Sequence, residues 1–158
     1  MGKSSMMTAA GLAFWLVIPF AAAAFGARFM PDAWFQELRK PPWNPPGWVF
    51  APVWTMLYAS MGVAAWLVWR EGGFTAQRVP LALFGCQLLL NALWTPLFFG
   101  AHRPGAAFVD ITALWLVLIC TLAAFWRVSP AAGALLVPYL AWITFAGALN
   151  FRIWQMNA

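Results

Sequence analysis

Charged residues are scarce in this chain of 158 residues: aspartate, glutamate, lysine and arginine together make up 8% of it, while 64% is hydrophobic. In soluble domains about a quarter of the residues are charged, because charged side chains cover the surface that faces water. With so few of them, this chain cannot cover a water-facing surface of its size. The composition therefore excludes a soluble globular domain and predicts an integral membrane protein.

Residues that build metal sites and nucleic-acid surfaces are equally scarce. The net charge of +5 is spread mostly over the connections between the apolar segments and includes no basic run. Nucleic acid is therefore not expected as a partner, and anionic lipid or an anionic ligand fits the charge better. Cys86 and Cys120 fall within apolar segments, where cysteine packs as a small hydrophobe. The single histidine, His102, is either an axial haem ligand or a loop residue without that role. The sequence contains no metal-ligand cluster, phosphate loop or nucleophile–base pair.

The hydrophobic residues form five apolar segments, each near the ~20 residues that cross a bilayer. We predict spans at about residues 6–27, 48–69, 79–99, 105–126 and 131–151. The last three connections are short, so successive helices run antiparallel, and backbone groups in lipid must be satisfied within a helix. The predicted fold is an all-α integral membrane protein, a bundle of five transmembrane helices in one domain covering residues 1–158. The basic residues divide almost equally between the two sides, so they do not determine the orientation.

The stretch KPPWNPPGWVFAPVWTMLY, Lys40–Tyr58, leads into the second span. Its prolines fix φ and remove backbone donors, so the loop part is stiff, and each tryptophan presents a broad apolar face with one N–H. We interpret the loop as a lid over a pocket for a flat, apolar ligand. The alternative is an interfacial loop that Trp43 and Trp48 anchor at the level of the lipid headgroups.

Polar and aromatic residues recur at helical spacing on three of the spans. The stripes are Trp54, Tyr58, Met61 and Ala65 on the second span, Gln87, Asn91, Thr95 and Phe98 on the third, and Tyr139, Trp142, Ala146 and Leu149 on the fifth. Amides in lipid face the bundle interior or a cavity, so the stripes predict one elongated cavity. The alternative is hydrogen bonding between helices.

Two residues within the spans stand out from the tryptophans at the span ends. Trp142 lies roughly 16 Å into the fifth span at 1.5 Å per residue, too deep for an interfacial anchor, so its N–H needs a partner in the bundle unless it only packs in the core. Asp110 is the only acid within a predicted span. It is a functional-site candidate, although near a span end it could also reach water or pair locally.

Five motifs have the order and spacing of a known family over essentially the whole chain. They are WNPP (Trp43–Pro46), WTMLY (Trp54–Tyr58), QLLLNALWTPLFF (Gln87–Phe99), PYLAW (Pro138–Trp142) and FAGALNF (Phe145–Phe151). Together they resemble the translocator protein family, also called tryptophan-rich sensory protein or peripheral benzodiazepine receptor.

The resemblance implies a five-helix bundle, often dimeric, with a pocket under the first loop. It implies binding of tetrapyrroles such as protoporphyrin IX or haem-related molecules, and of isoquinoline carboxamides, with sterol in animal members and no required cofactor. It also suggests the outer membrane of bacteria or mitochondria. The pocket positions that carry over are Trp43, Asn44, Trp54, Asn91, Trp94, Trp142, Ala146 and Leu149, to which the helical stripes add Tyr58, Gln87, Phe98 and Tyr139.

Two finer expectations also follow from the resemblance. Trp54 and Trp142 match the tryptophans implicated when some bacterial members degrade protoporphyrin in light, and are candidate catalytic residues. Leu149, Phe151 and Arg152 form a variant of the sterol motif of animal members, with Phe in place of Tyr. Such motifs are weak patterns.

Three functions therefore stay open: a tetrapyrrole-binding sensor or transporter, a light-dependent porphyrin-degrading enzyme, and a structural or regulatory membrane subunit. A homodimer is expected, with contacts through small residues that allow helices to approach closely. These residues are Ala9, Ala10, Gly11, Ala22 and Gly26 on the first span and Ala82 and Gly85 on the third.

Overall fold

The computed structural model describes residues 2–158, with side chains from Thr8 onward, and this part of the chain contains helices and turns but no strand. The helices are α1 (Gly2–Gly26), α2 (Ala33–Glu37), α3 (Phe50–Arg70), α4 (Gly73–Ala76), α5 (Arg78–Thr95), α6 (Pro104–Val128) and α7 (Pro130–Asn157). Helices α1, α3, α5, α6 and α7 belong to segments long and apolar enough to cross a membrane. The predicted fold class, an all-α membrane protein with a five-helix bundle, is confirmed. The first predicted span begins at Met6, whose side chain lies outside the described part.

Local sequence sets where several helices begin. Helices α6 and α7 start at Pro104 and Pro130, positions where the missing N–H of proline would have no partner in the helix anyway. The Oγ of Ser129 accepts the N–H of Ala132 at 3.4 Å and caps α7. A 3-10 turn, Gly47–Val49, precedes α3, and a π-helical turn, Pro96–Gly100, follows α5.

Helix α7 continues past the predicted span end at residue 151 to Asn157. The sequence did not predict this extension because Arg152, Gln155 and Asn157 interrupt the apolar run. The extra turns bring the end of α7 to the first loop, which the site described below depends on.

The long helices form a ring in the order α1, α3, α7, α6, α5, with α5 closing against α1. Successive spans are thus not always neighbours: α3 packs chiefly between α1 and α7. The part of the ring interior nearer α4 is what we call the packed half. Six of its side chains are at most 1% exposed: Ala64, Val68, Phe84, Leu118, Phe125 and Leu136. A Cβ at Gly62 would lie 2.8 Å from the backbone oxygen of Trp15, so α1 and α3 pack backbone to backbone.

The first loop lies over the other end of the ring. Its short helix α2 begins after Asp32, whose Oδ1 accepts the N–H of Phe35 at 3.2 Å. Trp34 and Phe35 pack edge-on against Phe98, with ring centroids 5.9 and 6.1 Å away. These contacts, together with the buried Leu149 and Ile153, form what we call the loop cluster. The loop cluster joins α2 to the ends of α5 and α7.

Candidate functional site

A chain of hydrogen bonds crosses the ring interior between α3, α5 and α7. Tyr58 Oη donates to Asn91 Oδ1 at 2.8 Å, and Asn91 Nδ2 donates to Tyr139 Oη at 2.9 Å. Tyr139 Oη donates to Gln87 Oε1 at 3.0 Å, and Gln87 Nε2 faces Met61 Sδ at 3.9 Å. The structure therefore brings together polar residues from all three predicted stripes, and it uses these groups to link helices.

Indole rings lie directly beside this network. Trp54 stacks on Tyr58 with centroids 5.3 Å apart and planes at 27°, and it contacts Tyr139 edge-on at 6.3 Å. Trp142 meets Trp54 at 6.4 Å with the rings almost perpendicular, at 88°. The two candidate catalytic tryptophans are thus in contact, because α3 and α7 are neighbours in the ring. We call this region the polar half; it contains Trp54, Tyr58, Gln87, Asn91, Tyr139 and Trp142.

The N–H of Trp142 differs from the other polar groups of the polar half. Its Nε1 is buried, and among the described residues it has no hydrogen-bond partner. A buried donor without an acceptor costs about 1–3 kcal/mol, so an acceptor atom on a ligand would be favoured at this point. Trp15 Nε1 and Asp110 Oδ2 are the other described side-chain atoms with this property. Trp15, however, lies between Phe74 and Phe84 in the packed half.

The first loop reaches the polar half through Trp43. The Trp43 ring contacts Phe145 at 5.8 Å, and Phe145 contacts Trp142 at 5.6 Å. Trp43 is 47% exposed, and the amide of Asn44 donates within the loop, to the carbonyl of Pro45 at 3.3 Å. Ala146 packs against the same core as Trp142. A ligand beside Trp142 would therefore lie under the loop.

Three predicted site residues lie elsewhere. Trp94 Nε1 donates to Asn150 Oδ1 at 2.8 Å, so its N–H joins α5 to α7. Phe98 stacks on Trp94 at 4.9 Å and, like Leu149, belongs to the loop cluster. The stripes predicted to line one elongated cavity are therefore divided between the polar half and the loop cluster, with Trp94 bordering both. The division arises because Phe98 and Leu149 lie closer to the first loop along their helices, where Trp34 and Phe35 of α2 pack on the same cluster.

The residues of the sterol-motif variant do not share a surface. Leu149 is buried in the loop cluster, whereas Phe151 and Arg152 are exposed. Phe151 packs against Phe108 on the outside of α6 and α7 with centroids 5.0 Å apart. Sterol binding through these three residues stays a prediction, without a common face to support it.

The small residues predicted for dimer contacts also divide. A Cβ at Gly11 would lie 2.6 Å from the Trp69 ring, and one at Gly26 would lie 3.2 Å from Thr95 Oγ1, so both glycines serve contacts within the bundle. On α5, by contrast, Ala82 is exposed, and a Cβ at Gly85 meets no described atom within 4 Å. Ala9 and Ala10 on α1 are exposed as well, so outward-facing small residues lie on both of the predicted helices.

His102 has a role that neither sequence interpretation included. Its Nε2 lies 2.9 Å from Asp32 Oδ2, and its ring stacks on Trp34 with centroids 4.2 Å apart and planes at 14°. Desolvation acts to raise the pKa of the Asp32 carboxyl, but hydrogen bonds from Phe35 and His102, together with the charge on His102, hold that pKa below its usual value. His102 thus binds the first loop to the connection between α5 and α6.

Asn157, which belongs to none of the sequence motifs, also contacts the first loop. Its Oδ1 accepts the N–H of Arg39 at 3.0 Å, and its Nδ2 donates to the Arg39 carbonyl at 2.9 Å. No sequence signal predicts this contact, because a single asparagine in a polar segment has no periodic pattern.

Comparison with known proteins agrees with the motifs. A model described as the TspO/MBR family matches residues 12–155. The translocator protein of Bos taurus is 48% identical over 146 residues, covering 89% of this chain and 86% of that protein. The human translocator protein is 44% identical over 144 residues, covering 88% and 85%. The tryptophan-rich protein TspO of Chlorobaculum tepidum is 43% identical over 159 residues, covering 99% of both chains.

Proposed function

This chain belongs to the TspO/MBR family, and we propose that it is a membrane sensor or transporter that binds flat, largely apolar tetrapyrroles such as protoporphyrin IX beside Trp54 and Trp142. It is an integral, multi-pass membrane protein. Among the relatives, the protein of Cereibacter sphaeroides is named tryptophan-rich sensory protein, which supports a sensing role. The alternative is a structural or regulatory membrane subunit whose interior only packs.

The observation that carries the proposal is the buried Trp142 N–H without an acceptor among the described residues. It lies in a group of aromatic rings, where a flat conjugated ligand gains stacking contacts. A ligand nitrogen or carbonyl would accept the N–H, and Arg39, exposed in the loop above, offers a cation to carboxylates on the ligand rim. A tetrapyrrole combines these features in one molecule.

The test is a fluorescence titration with protoporphyrin IX in detergent. Saturable quenching of tryptophan is expected in the wild type. Trp142→Phe keeps an aromatic face but loses one hydrogen bond, which predicts about fivefold weaker binding. The matched control is Trp126→Phe, at an exposed tryptophan at the other end of the ring, which should bind like the wild type. A linear response that equals a free-tryptophan control would contradict binding and favour the structural alternative.

A second candidate function is light-dependent breakdown of the bound porphyrin, supported by the direct contact of Trp54 with Trp142. An indole in contact with an excited porphyrin can donate an electron, which a phenylalanine ring does not do readily. The test illuminates wild type and Trp142→Phe with equal amounts of bound porphyrin and follows its absorbance. Slower bleaching in the variant is expected, and equal rates would reject the catalytic role.

We further propose that the homodimer forms through outward-facing small residues, among them Ala82 and Gly85 of α5 and Ala9 and Ala10 of α1. Small residues on a lipid-facing helix permit close approach of a second helix. Mass measurement in mild detergent should show a dimer, which Gly85→Leu should weaken. A monomer across all concentrations would contradict it.

A further inference from the structure

The first loop is held to the bundle at two points that are far apart in sequence. At one of them, the side-chain amide of Asn157 bonds both backbone groups of Arg39, at 3.0 and 2.9 Å. The same Nδ2 donates to the carbonyl of Ile153 at 2.7 Å within α7, so the amide is itself held in place. The pairing uses only the backbone of Arg39, and its effect is therefore on the path of the chain.

Arg39 is the point from which the covering segment of the loop, residues 40–46, extends toward the polar half. Four of these seven residues are prolines, whose φ angles are fixed, so the direction set at Arg39 is carried along the segment. The segment places Trp43 on Phe145, which in turn contacts Trp142. A change at Asn157 therefore reaches the site through Arg39 and Trp43 without any contact between Asn157 and a ligand.

The other point is His102, which lies in the connection between α5 and α6 and contacts the start of α2. It pairs with Asp32 at 2.9 Å and stacks on Trp34 at 4.2 Å. The backbone of His102 has φ 54°, a left-handed conformation that non-glycine residues seldom adopt. The connection between α5 and α6 holds it there, with the imidazole against Trp34.

We propose that Asn157 and His102 are positioning residues that hold the first loop over the site and thereby set how fast a ligand leaves. This rests on the proposed function, since it takes the polar half as the ligand site. The two residues act separately: Asn157 fixes the covering segment that follows Arg39, and His102 fixes α2. Removing either loosens its own part of the loop, while the contacts that a ligand makes with Trp54 and Trp142 are unchanged.

The first measurement needs no ligand. Amide hydrogen exchange is compared between wild type, Asn157→Ala, Asn157→Asp and His102→Asn, the last chosen because asparagine tolerates positive φ. Asn157→Ala should speed exchange about tenfold around Arg39 and Lys40, since two hydrogen bonds are lost. Asn157→Asp keeps the acceptor and loses the donor, so its exchange rate should lie between those of the wild type and Asn157→Ala. His102→Asn should speed amide exchange in residues 33–37, which form α2. The control is Gln155→Ala, at an exposed residue of the same helix end.

Faster exchange throughout α3 and α6 would indicate that the substitution destabilises the whole bundle. Unchanged exchange in the loop would show that Asn157 and His102 do not hold it. Either result would overturn the proposal. The expected result is a change confined to the loop segment beside the altered residue.

The second measurement follows protoporphyrin IX leaving detergent-solubilised protein after a chase with excess acceptor. Dissociation should be about tenfold faster in Asn157→Ala and closer to wild type in Asn157→Asp, with a smaller change in the association rate. A loosened loop with unchanged dissociation would overturn the role in ligand retention. A wild type that binds no porphyrin would overturn the proposed function instead, and the exchange result would still decide whether Asn157 and His102 position the loop.

Discussion

The packed half and the polar half of the same ring are built from different contacts. In the packed half, aliphatic and phenylalanine side chains fill the interior, with Phe84 stacked on Phe125 at 5.9 Å, and at Gly62 even the helix backbones touch. In the polar half, hydroxyls, amides and indoles meet, and the position of each ring depends on a hydrogen-bond partner or a neighbouring ring.

The difference determines how each half responds to substitution. Lipid tails are as apolar as the side chains, so shape complementarity holds the packed half together, and an added methyl group meets atoms that cannot move away. In the polar half the outcome depends on whether the removed group had a partner. Trp142, and Trp94 at the border of the polar half, show this, since the N–H of Trp94 is bonded and that of Trp142 has no partner among the described residues.

The largest expected effect is Ala146→Phe, which adds a ring about one helical turn from Trp142. We expect porphyrin binding to weaken by about 5- to 100-fold, because overpacking of this kind costs about 1–3 kcal/mol and each 1.4 kcal/mol is tenfold. The measurement is the fluorescence titration, with retained helicity as a check on folding. Ala148→Phe, at an exposed position on the same helix, is the control and should bind normally. Unchanged affinity in Ala146→Phe would remove Ala146 from the site.

Two glycine substitutions test the packed half. Gly62→Ala places a Cβ 2.8 Å from the backbone oxygen of Trp15 and 2.9 Å from Leu16 Cα, and should lower the free energy of unfolding by about 1–3 kcal/mol. Gly147→Ala is the matched control, since its Cβ would lie 3.9 Å from Ile111 Cγ2, an ordinary van der Waals distance. Thermal unfolding in detergent measures both. Equal stability of the two variants would contradict the close approach of α1 and α3.

The two tyrosines test the hydrogen-bond chain. Tyr139→Phe removes a hydroxyl that makes two bonds, whereas Tyr58→Phe removes one. In membrane proteins such bonds are worth about 0.6 kcal/mol each on average, so Tyr139→Phe should destabilise by about 1–2 kcal/mol and Tyr58→Phe by about half of that. A larger loss for Tyr58→Phe in the same unfolding assay would show that the chain is not organised around Tyr139.

A smaller effect separates the two tryptophans. Trp94→Phe breaks the bond to Asn150 and should lower the free energy of unfolding by about 0.6–1 kcal/mol. Trp142→Phe removes an N–H that has no partner among the described residues. The relief of that cost offsets the packing lost with the smaller ring, so stability should change little while porphyrin binding weakens. The measurement is chemical unfolding of the unliganded protein. The opposite order of stability would assign the structural role to Trp142.

The smallest effect concerns pH. The pKa of Asp32 is lowered in the folded protein, so its contribution to stability is present above the ordinary aspartate value of about 3.9 and is lost as the pH falls through the lower folded value. The difference in Tm between wild type and Asp32→Asn should therefore narrow as the pH falls from about 5 to about 3. A difference independent of pH would show that the charge of Asp32 does not matter.

Much of the polar half could be predicted because helical spacing places Tyr58, Asn91 and Tyr139 on inward faces. What spacing cannot give is the depth at which faces from different helices meet. Phe98 and Leu149 have the right angular position, yet they lie closer to the first loop, in the cluster on which α2 packs. Trp94 lies at the right depth in the bundle, but its N–H donates to Asn150. Asn157 was missed because a contact with Arg39, 118 residues away, leaves no periodic trace.

Composition and the length of the apolar runs were enough to determine that this chain is a membrane bundle of five helices, and its motifs were enough to determine the family. The bundle follows from a local property, because lipid accepts only long apolar segments whose backbone hydrogen bonds are internal. The family follows from motifs that are local in the sequence. The tertiary structure alone decided which polar groups found partners. Ring order places α3 beside α7 and so brings Trp54 to Trp142, and the extension of α7 brings Asn157 to Arg39. Hydrogen bonds require contact within about 3 Å, and the packing of whole helices determines which groups come that close.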